Sequence, residues 1–405
     1  MRRGFTLQII GGMVLGIVVG YFLNRSLADP ADLKSVAGYF AVVTDVFLRL
    51  IKMIIAPLVF STLVTGIVHV GDSKSLGRLG AMTITWFIGA SLVSLVLGLI
   101  LVNTLEPGVG LGLPLPDAGA EVAIKGSALT LKDFVTHLVP RSFFEAMANN
   151  EILQIVMFSV FCGVALATMG ETAKPVVDLL DRVVAMTLLI VGYVMRVAPY
   201  AVFAAIAATV TTQGLGILAT YLKFVGGFYL ALGILWGLLL LAGFAILGSP
   251  IVALTRMIRE PLLIAFSTAS SEAAYPKTLE GLVKFGVPAR ISSFVLPLGY
   301  SFNLDGSMMY CTFATVFIAQ AYGIDLSLSQ EVTMLLILMA TSKGMAGVPL
   351  ASLVVIAATL AQFGIPEAGL LLILAVDQFL DMGRSATNVV GNAVATAVVS
   401  KWNAK

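Results

Sequence analysis

The sequence predicts an all-α polytopic membrane protein, and three observations predict it together: high apolar content, little charge and long uninterrupted apolar runs. Of the 405 residues, 59% are hydrophobic and 11% are charged, whereas a soluble protein carries about 25% charged residues. Several apolar windows exceed the roughly 18 residues that indicate a transmembrane helix. The formal net charge of +2 gives no indication of a nucleic-acid partner.

Apolar spans before residue 250 predict the first transmembrane helices. They fall at about 6–23, 38–70, 80–104, 151–169, 176–211 and 217–248. The first span follows Arg2 and Arg3 without a small-residue cleavage site after it, so we expect a retained membrane helix and not a removed signal peptide. The polar stretch 105–150 is expected to be an extracellular loop. Short loops rich in Lys and Arg are expected on the cytoplasmic side, which also places both termini there.

Two other classes of function find little support in the sequence. A membrane enzyme would need a nucleophile with its base, a metal cluster or a phosphate-binding loop, and none accompanies the polar residues within the apolar spans. Cys162 and Cys311 lie in apolar surroundings and there are two histidines, so neither a disulfide nor a metal centre is expected, and no cofactor. An ion channel would need repeated rings of charge, which the sequence lacks. Substrate counterflow in proteoliposomes separates a carrier from both classes.

Two interrupted apolar segments follow residue 250. In the first, residues 251–266 are too short to span a bilayer and are followed by "STASSEAAYP" at 267–276. In the second, 332–340 and 350–365 flank "TSKGMAGVP" at 341–349. Irregular backbone at membrane depth is tolerated only inside protein or beside a wet cavity, and paired interruptions of this kind indicate a transporter binding site. The alternative is a pair of ordinary helical hairpins with loops outside the membrane.

Between these segments, one charge interrupts an apolar run. Asp305 is the only charged residue in 291–324, and it lies in "SFNLDGS" at 301–307. An unwound turn there would expose backbone carbonyls beside a carboxylate, which together form a hard oxygen site for a small cation. The alternative is a helix cap or kink whose polar groups are satisfied internally.

The stretch "DQFLDMGRSATNVVGN" at 377–392 places a polar face on an apolar helix. At helical spacing one arc of the helix carries Asp377, Asp381, Arg384, Asn388 and Asn392, with Ser385 at its edge. Each charge at mid-membrane costs about 2.5–3.5 kcal/mol, so function is the default explanation. Arg grips a carboxylate bidentately, Asp suits an ammonium group and Asn can donate to a second carboxylate. An acidic amino acid satisfies all three; a purely structural salt bridge is the alternative.

Four motifs carry a resemblance to a known family. The segments "SSEAAYPKTLE", "GYSFNLDGS", "TSKGMAGVP" and "DMGRSATNVVGN" resemble the signatures of the glutamate/aspartate and dicarboxylate:cation symporters, most closely the bacterial proton/sodium–glutamate symport proteins. The resemblance covers nearly the whole chain. It implies eight transmembrane helices plus two re-entrant helical hairpins in the glutamate-transporter fold, a homotrimer in the cell inner membrane in contact with lipid, and an elevator mechanism.

The resemblance also implies a division into scaffold and transport domain. Residues 1–70 would form scaffold helices 1 and 2, and 71–104 would form helix 3 of the transport domain. Residues 105–215 would contain the extracellular loop and scaffold helices 4 and 5. Residues 216–405 would complete the transport domain with helix 6, hairpin 1, helix 7, hairpin 2 and helix 8.

Substrate contacts carry over from the family residue by residue. Arg384 would bind the side-chain carboxylate, Asp381 the amino group and Asn388 the main-chain carboxylate, while Asp377 would orient Arg384. The remaining substrate-binding positions implied by the resemblance are Ser270, Ser271, Ser307, Gly347 and Ser385, with Gly347 in the hairpin 2 gate.

Cation contacts carry over in the same way. The implied positions are Ser91, Gly299, Ser301, Asn303, Asp305, Ser342, Asn388 and Asn392. Glu272, at the tip of hairpin 1, is a candidate proton carrier, because a partly buried Glu can be tuned toward neutral pH. The alternative for Glu272 is a solvated loop acid.

Departures from the family pattern bear on the coupling ion and on the substrate. Asn392 replaces an Asp of strictly sodium-coupled archaeal members, and Phe87 and Ala90 replace their Tyr and Thr beside another sodium. Cys311 stands where animal members carry a Glu implicated in proton and potassium coupling, so potassium counter-transport is not expected. The coupling ion is expected to be H⁺ and/or Na⁺. C4-dicarboxylate members tend to carry Ser at the position of Asp381, so acidic amino acids are the expected substrates and C4-dicarboxylates the alternative.

Overall fold

The computed structural model describes residues 3–27, 29–70, 73–110, 139–215, 221–341, 351–374 and 376–404. Within these ranges all regular secondary structure is helical. The helical stretches there that are long and apolar enough to cross a membrane are Leu7–Ser26, Pro30–Val68, Gly77–Leu105, Ile152–Gln213 and Leu222–Leu247. The expectation of an all-α, multi-pass membrane protein is therefore confirmed.

The first three helices contain the first three predicted spans. They are α1 (Arg3–Ser26), α2 (Pro30–Val70) and α3 (Ser73–Leu105). α2 begins well before the predicted span because its start is capped: the Asp29 side chain accepts a hydrogen bond from the Ala31 N–H at 2.8 Å. Pro30 lies in the first turn, where no N–H partner is required.

The middle of the chain forms α4 (Phe143–Ala148), α5 (Ile152–Met169), α6 (Lys174–Val194) and α7 (Ala198–Gln213). α4 lies within the stretch 105–150 that was expected to be a loop. A 3₁₀ turn at Met195–Val197 joins α6 to α7. Pro199 lies in the first turn of α7, where proline needs no helical N–H partner, so the predicted span 176–211 is two helices joined by a 3₁₀ turn.

The rest of the chain forms shorter helices around two long ones. They are α8 (Leu222–Leu247), α9 (Pro250–Met257), α10 (Arg259–Thr268), α11 (Ser271–Phe285), α12 (Ala289–Phe302), α13 (Asp305–Ala321), α14 (Leu328–Thr341), α15 (Ala351–Gln362), α16 (Leu370–Leu374) and α17 (Asp377–Asn403). α10 packs against α11, and α14 against α15. The helices that flank each predicted interruption thus pack against each other. Residues 342–350 of the second tip, including Ser342 and Gly347, lie outside the described residues.

The helices pack in two groups. α1 packs on α7, and α2 packs on α5, α6 and α7. α17 is surrounded by α3, α8, α10, α11, α12 and α13. α3 follows α2 in the chain, yet its main neighbours are α13 and α17. The buried polar residues of α17 therefore lie inside the second group.

Close contact between α1 and α7 depends on a stripe of glycines. The stripe is Gly12, Gly16 and Gly20, one turn apart on α1. A Cβ added to Gly16 would lie 2.7 Å from the Phe203 carbonyl oxygen. Small residues let helix backbones approach each other in a membrane, where apolar side chains gain nothing by leaving lipid.

Gly16→Ala is expected to destabilise the protein by about 1–3 kcal/mol through overpacking. The neighbouring Gly11 provides a matched control, because a Cβ there meets nothing within 4 Å and Gly11→Ala gains the same helix propensity. Thermal melting of the two purified variants in detergent measures the difference. Equal melting temperatures would show that the α1–α7 contact does not depend on the missing side chain.

Candidate functional site

The site is built around a break between α12 and α13. α12 ends at Phe302 and α13 begins at Asp305, and the residues between them, Asn303 and Leu304, have non-helical φ and ψ. Asn303 and Asp305 are both 0% exposed. Helix termini leave backbone groups without helical partners, so the break brings polar backbone and side chains into the interior.

α17 supplies the opposite wall of the site. Its polar residues Asp377, Arg384, Asn388 and Asn392 are all at least 94% buried. The side chain of Asp381 remains 33% exposed. The predicted polar face of this helix therefore lies inside the fold, with one carboxylate at its edge.

Arg384 is held by carboxylates and an aromatic ring. Its Nη2 lies 2.9 Å from Asp381 Oδ1 and 3.5 Å from Asp377 Oδ1. Its Cζ lies 4.2 Å from the centre of the Tyr310 ring. The Tyr310 hydroxyl donates a 2.8 Å hydrogen bond to Asp377 Oδ1. Asp377 and the Tyr310 ring together hold the guanidinium plane of Arg384, and so they set the direction in which its N–H donors point.

Part of the Arg384 fork has no hydrogen-bond partner within the described part of the chain. These atoms are Nε and Nη1, and the side chain is 3% exposed. A buried donor without a partner is costly, and hydrogen bonds from a guanidinium to a carboxylate are charge-assisted and strong. The arrangement can therefore bind a carboxylate beside Asp381, whose Oδ1 also lies 3.5 Å from the Ser385 hydroxyl.

Asn388 connects α17 to the break between α12 and α13. Its Oδ1 accepts a 2.9 Å hydrogen bond from the Gly306 N–H, and its Nδ2 donates to Ser307 Oγ at 3.3 Å. Two predicted substrate residues, Asn388 and Ser307, are thus in direct contact at the start of α13. A shift of the break would move both.

A second polar cluster lies next to this contact. Asn303 Nδ2 donates to Asp305 Oδ2 at 2.9 Å and to Asn392 Oδ1 at 3.3 Å. The Ser94 hydroxyl donates to Asp305 Oδ1 at 3.4 Å, and the Ser91 hydroxyl donates to the Phe302 carbonyl at 3.5 Å. The cluster thus joins the break to α3 and to α17.

The donor set of this cluster fits a small hard cation. It offers carboxylate, amide, hydroxyl and carbonyl oxygens, which hard cations prefer. Asn303 Oδ1 is buried and has no hydrogen-bond partner among the described residues. Gly299 leaves the space open: a Cβ there would lie 2.2 Å from Asn392 Oδ1. Ser301, another predicted cation residue, is 6% exposed on the last turn of α12.

The tip of hairpin 1 consists of Ala269 and Ser270, between α10 and α11. Ala269 has a left-handed φ of 49°, and Ser270 caps α11 by accepting a 3.3 Å hydrogen bond from the Ala273 N–H. Ser270, Ser271 and Glu272 are half-buried. Both arms pack on α17, but no hydrogen bond joins the described tip side chains to Arg384 or Asp381.

Glu272 faces α2. α11, which begins at Ser271, packs against α2, and Lys52 of α2 is close enough to act on the Glu272 carboxylate. The carboxylate therefore lies near the place where hairpin 1 meets the other group of helices.

Two functional side chains were missed by sequence reasoning. Ser94 lies one turn after Ser91 on α3, so helical spacing could have identified it. Tyr310 carries no such signal, because an aromatic residue in an apolar helix is usually packing. Its role appears only through its contacts with Arg384 and Asp377.

Known proteins resemble this chain along nearly its whole length. The model of the sodium:dicarboxylate symporter family matches residues 5–402. A proton/sodium-glutamate symport protein of Bacillus caldotenax is 40% identical over 99% of this chain and 95% of its own. A proton/glutamate-aspartate symporter of Escherichia coli is 42% identical over 98% of this chain and 92% of its own. A C4-dicarboxylate transport protein of Laribacter hongkongensis is 40% identical over 99% of this chain and 90% of its own.

These matches confirm the family resemblance and the expectation that the protein is not an enzyme, since the family consists of symporters. The match extends over both the broken helix and α17. The chain therefore belongs to the sodium:dicarboxylate symporter family.

Proposed function

We propose that the protein is a secondary active symporter that imports L-aspartate and L-glutamate together with protons and/or sodium ions. The observation that carries this proposal is the pair formed by Arg384 and Asp381. Arg384 has two buried donors without a partner, and Asp381 is one third exposed beside it. A carboxylate on the first and an ammonium on the second would compensate both charges.

The remaining substrate contacts follow from the geometry of the break. In this proposal Asn388 and Ser307, already hydrogen-bonded to each other, hold the main-chain carboxylate. Ser270 and Ser271 contribute from the hairpin 1 tip, and Ser385 supports Asp381. Gly347, which lies outside the described residues, would close the site from hairpin 2.

Cation binding is proposed to order the substrate site through Asn388. Asn303, Asp305 and Asn392 surround the break on one side, and Gly306 and Ser307 bind Asn388 on the other. A cation held by the first group would fix the backbone of the break and so the position of Asn388. Because binding coupling is reciprocal, the substrate would hold the cation in return. The other proposed cation residues are Ser91, Gly299, Ser301 and Ser342.

Glu272 is proposed as a proton carrier. It is half-buried at the hairpin 1 tip and faces Lys52 across the boundary between the two groups of helices. Movement of the hairpin away from α2 would remove the influence of Lys52 on the Glu272 carboxylate. Protonation would then depend on which side of the membrane the site faces.

The proposed motion is an elevator with eight transmembrane helices and two re-entrant hairpins. Residues 1–70 and 105–215 would form the scaffold, and residues 71–104 and 216–405 the transport domain. Supporting this division, α3 packs mainly on α13 and α17 although it follows α2. We further propose a homotrimer in the inner membrane, with lipid against its exposed apolar side chains.

Both termini are proposed to be cytoplasmic. Exposed basic residues cluster at the helix ends near residues 256–259 and 284–290, in the connections on either side of hairpin 1: Arg256, Arg259, Lys284 and Arg290. Short basic connections favour the cytoplasmic side. Trp402, near the C-terminus, lies 5.7 Å from the ring of Trp86, in the first half of α3.

A C4-dicarboxylate carrier is the second candidate, because C4-dicarboxylate transport proteins match this chain at about the same identity as glutamate symporters. Asp381 argues against it. A dicarboxylate without an ammonium group would leave this partly buried carboxylate next to a second negative charge, and uncompensated buried charge costs several kcal/mol.

An inward proton gradient alone is expected to drive accumulation of labelled L-aspartate in proteoliposomes. Asn392 carries no charge to neutralise sodium, its Oδ1 already accepts from Asn303, and Phe87 offers no oxygen ligand. Proton and sodium gradients are imposed separately, with the unmutated protein and Asn392→Asp compared. The Asp variant is expected to gain sodium dependence. Accumulation that requires sodium and ignores the proton gradient would contradict the coupling proposal, and no accumulation under either gradient would contradict the symporter proposal.

A further inference from the structure

α8 contacts α17 through two hydrogen bonds, and their acceptors on α17 lie on either side of Arg384. The Tyr229 hydroxyl donates to the Phe379 carbonyl at 2.6 Å. The Trp236 indole N–H donates to the Thr387 hydroxyl at 2.8 Å. Arg384 lies between the two acceptors on α17, and neither α8 residue was singled out by the sequence or used in the mechanism above.

These bonds belong to a seam along which α8 and α17 run parallel. A third contact continues it, because a Cβ on Gly243 would lie 3.2 Å from Val394 Cγ1. The α8 positions, 229, 236 and 243, are a heptad apart, and the α17 positions, 379, 387 and 394, advance by eight and then seven residues. Such spacing keeps two parallel helices in contact along one stripe.

An apolar seam alone does not fix helix rotation. Side chains such as Leu232 and Leu239 on this face of α8 are almost fully buried, but apolar contacts tolerate small rotations and shifts. Hydrogen bonds are directional, and a polar residue within an apolar seam can specify register. The two α8 donors therefore fix the position of α17 along its axis and its rotation about that axis.

Tyr229 acts on the turn that carries Asp381. Its acceptor, Phe379, precedes Asp381 by two residues, and Gly383 follows by two. The Tyr229 ring packs on Gly383 so closely that a Cβ there would lie 3.1 Å from Cζ. The turn also lies near the start of α17, which begins at Asp377. First turns lack part of their helical hydrogen bonds, so an external anchor matters most there.

We propose that Tyr229 and Trp236 are positioning residues for substrate binding, and that Tyr229 sets where Asp381 meets the substrate's amino group. This inference rests on the proposed function, because it assigns a ligand group to Asp381. Neither residue touches the substrate in this account. Their effect is transmitted through the α17 backbone and the Thr387 hydroxyl, which also bonds the Gly383 carbonyl at 2.8 Å.

The test is Tyr229→Phe, which keeps the ring and removes the hydroxyl. Affinities of the purified full-length protein for L-aspartate and for succinate are measured by calorimetry or by competition, together with thermal melting. The affinity for L-aspartate is expected to fall about fivefold, the scale of one hydrogen bond. The affinity for succinate, which has no amino group for Asp381, is expected to change less than twofold. Trp236→Phe is the second variant, and it is also expected to lower the affinity for L-aspartate more than the affinity for succinate.

Tyr39→Phe is the control, because Tyr39 is 76% exposed on α2 and its change should alter neither affinity. A fivefold change in the ratio of the two affinities, at an unchanged melting temperature, supports the positioning role. If both affinities and the melting temperature fall together, or if the ratio is unchanged, the positioning role is wrong while the proposed function stands. If the unmutated protein binds no acidic amino acid, the proposed function fails and this inference fails with it.

Discussion

Arg384→Lys is expected to reduce L-aspartate uptake at low substrate concentration by at least about 100-fold, within the range for truncating a buried charged hydrogen-bond partner. Lysine keeps the charge that compensates Asp377 and Asp381 but lacks the planar fork. It also loses the stacking of the guanidinium on Tyr310, 4.2 Å away. Uptake and calorimetric binding measure the effect.

Arg384→Ala is expected to abolish uptake but is the less informative variant. It removes the only described cation within 4.0 Å of Asp377 and Asp381, and breaking a buried pair costs about 3–5 kcal/mol. Loss of uptake would then combine lost binding with lost stability. Arg290→Lys is the matched control, because Arg290 is exposed. Full uptake by either Arg384 variant at low substrate would remove Arg384 from the site.

Gly306→Ala is expected to abolish transport and to destabilise the protein by about 3 kcal/mol, the upper end of overpacking costs. A Cβ there would lie 2.5 Å from the Arg384 carbonyl oxygen and 2.9 Å from its Cα. Both are backbone atoms of a buried helix and cannot rotate away. The added methyl must push α13 from α17, which breaks the bond from the Gly306 N–H to Asn388.

Gly233→Ala is the control for this substitution. Gly233 lies in α8, and a Cβ there meets nothing within 4 Å. The change is therefore expected to stabilise the helix by about 1 kcal/mol, because alanine has the higher helix propensity. Melting curves and L-aspartate binding are compared for both variants. If Gly306→Ala melts and binds like Gly233→Ala, then α13 and α17 are not in close contact.

Local patterns in the sequence predicted the elements that depend on helical period and on chain interruptions. The spacing of Asp377, Asp381 and Arg384 predicted one polar face, and this face lies in the interior of the fold. The polar residues around Asp305 predicted the break between α12 and α13. Both signals are local, since each is contained within about four turns of helix.

The contacts that give these residues their chemistry could not be predicted, because they join distant parts of the chain. Asn303 bonds Asn392, 89 residues away, and Tyr229 bonds Phe379, 150 residues away. A single sequence does not indicate which helices pack together. The assignment of roles to Asn303 and Asn392 therefore rested on family resemblance, while the role of Tyr229 needed the packing of α8 on α17.

Inhibition of labelled L-aspartate uptake by unlabelled acids tests the central claim that Arg384 and Asp381 together recognise an acidic amino acid. At fixed pH, L-aspartate and L-glutamate are expected to compete at least about tenfold better than succinate, a gap of about 1.4 kcal/mol. Asp381→Ser should narrow this gap by weakening the amino acids more than succinate. If succinate or fumarate competes equally well in the unmutated protein, Asp381 is not an ammonium site and the protein is a C4-dicarboxylate carrier.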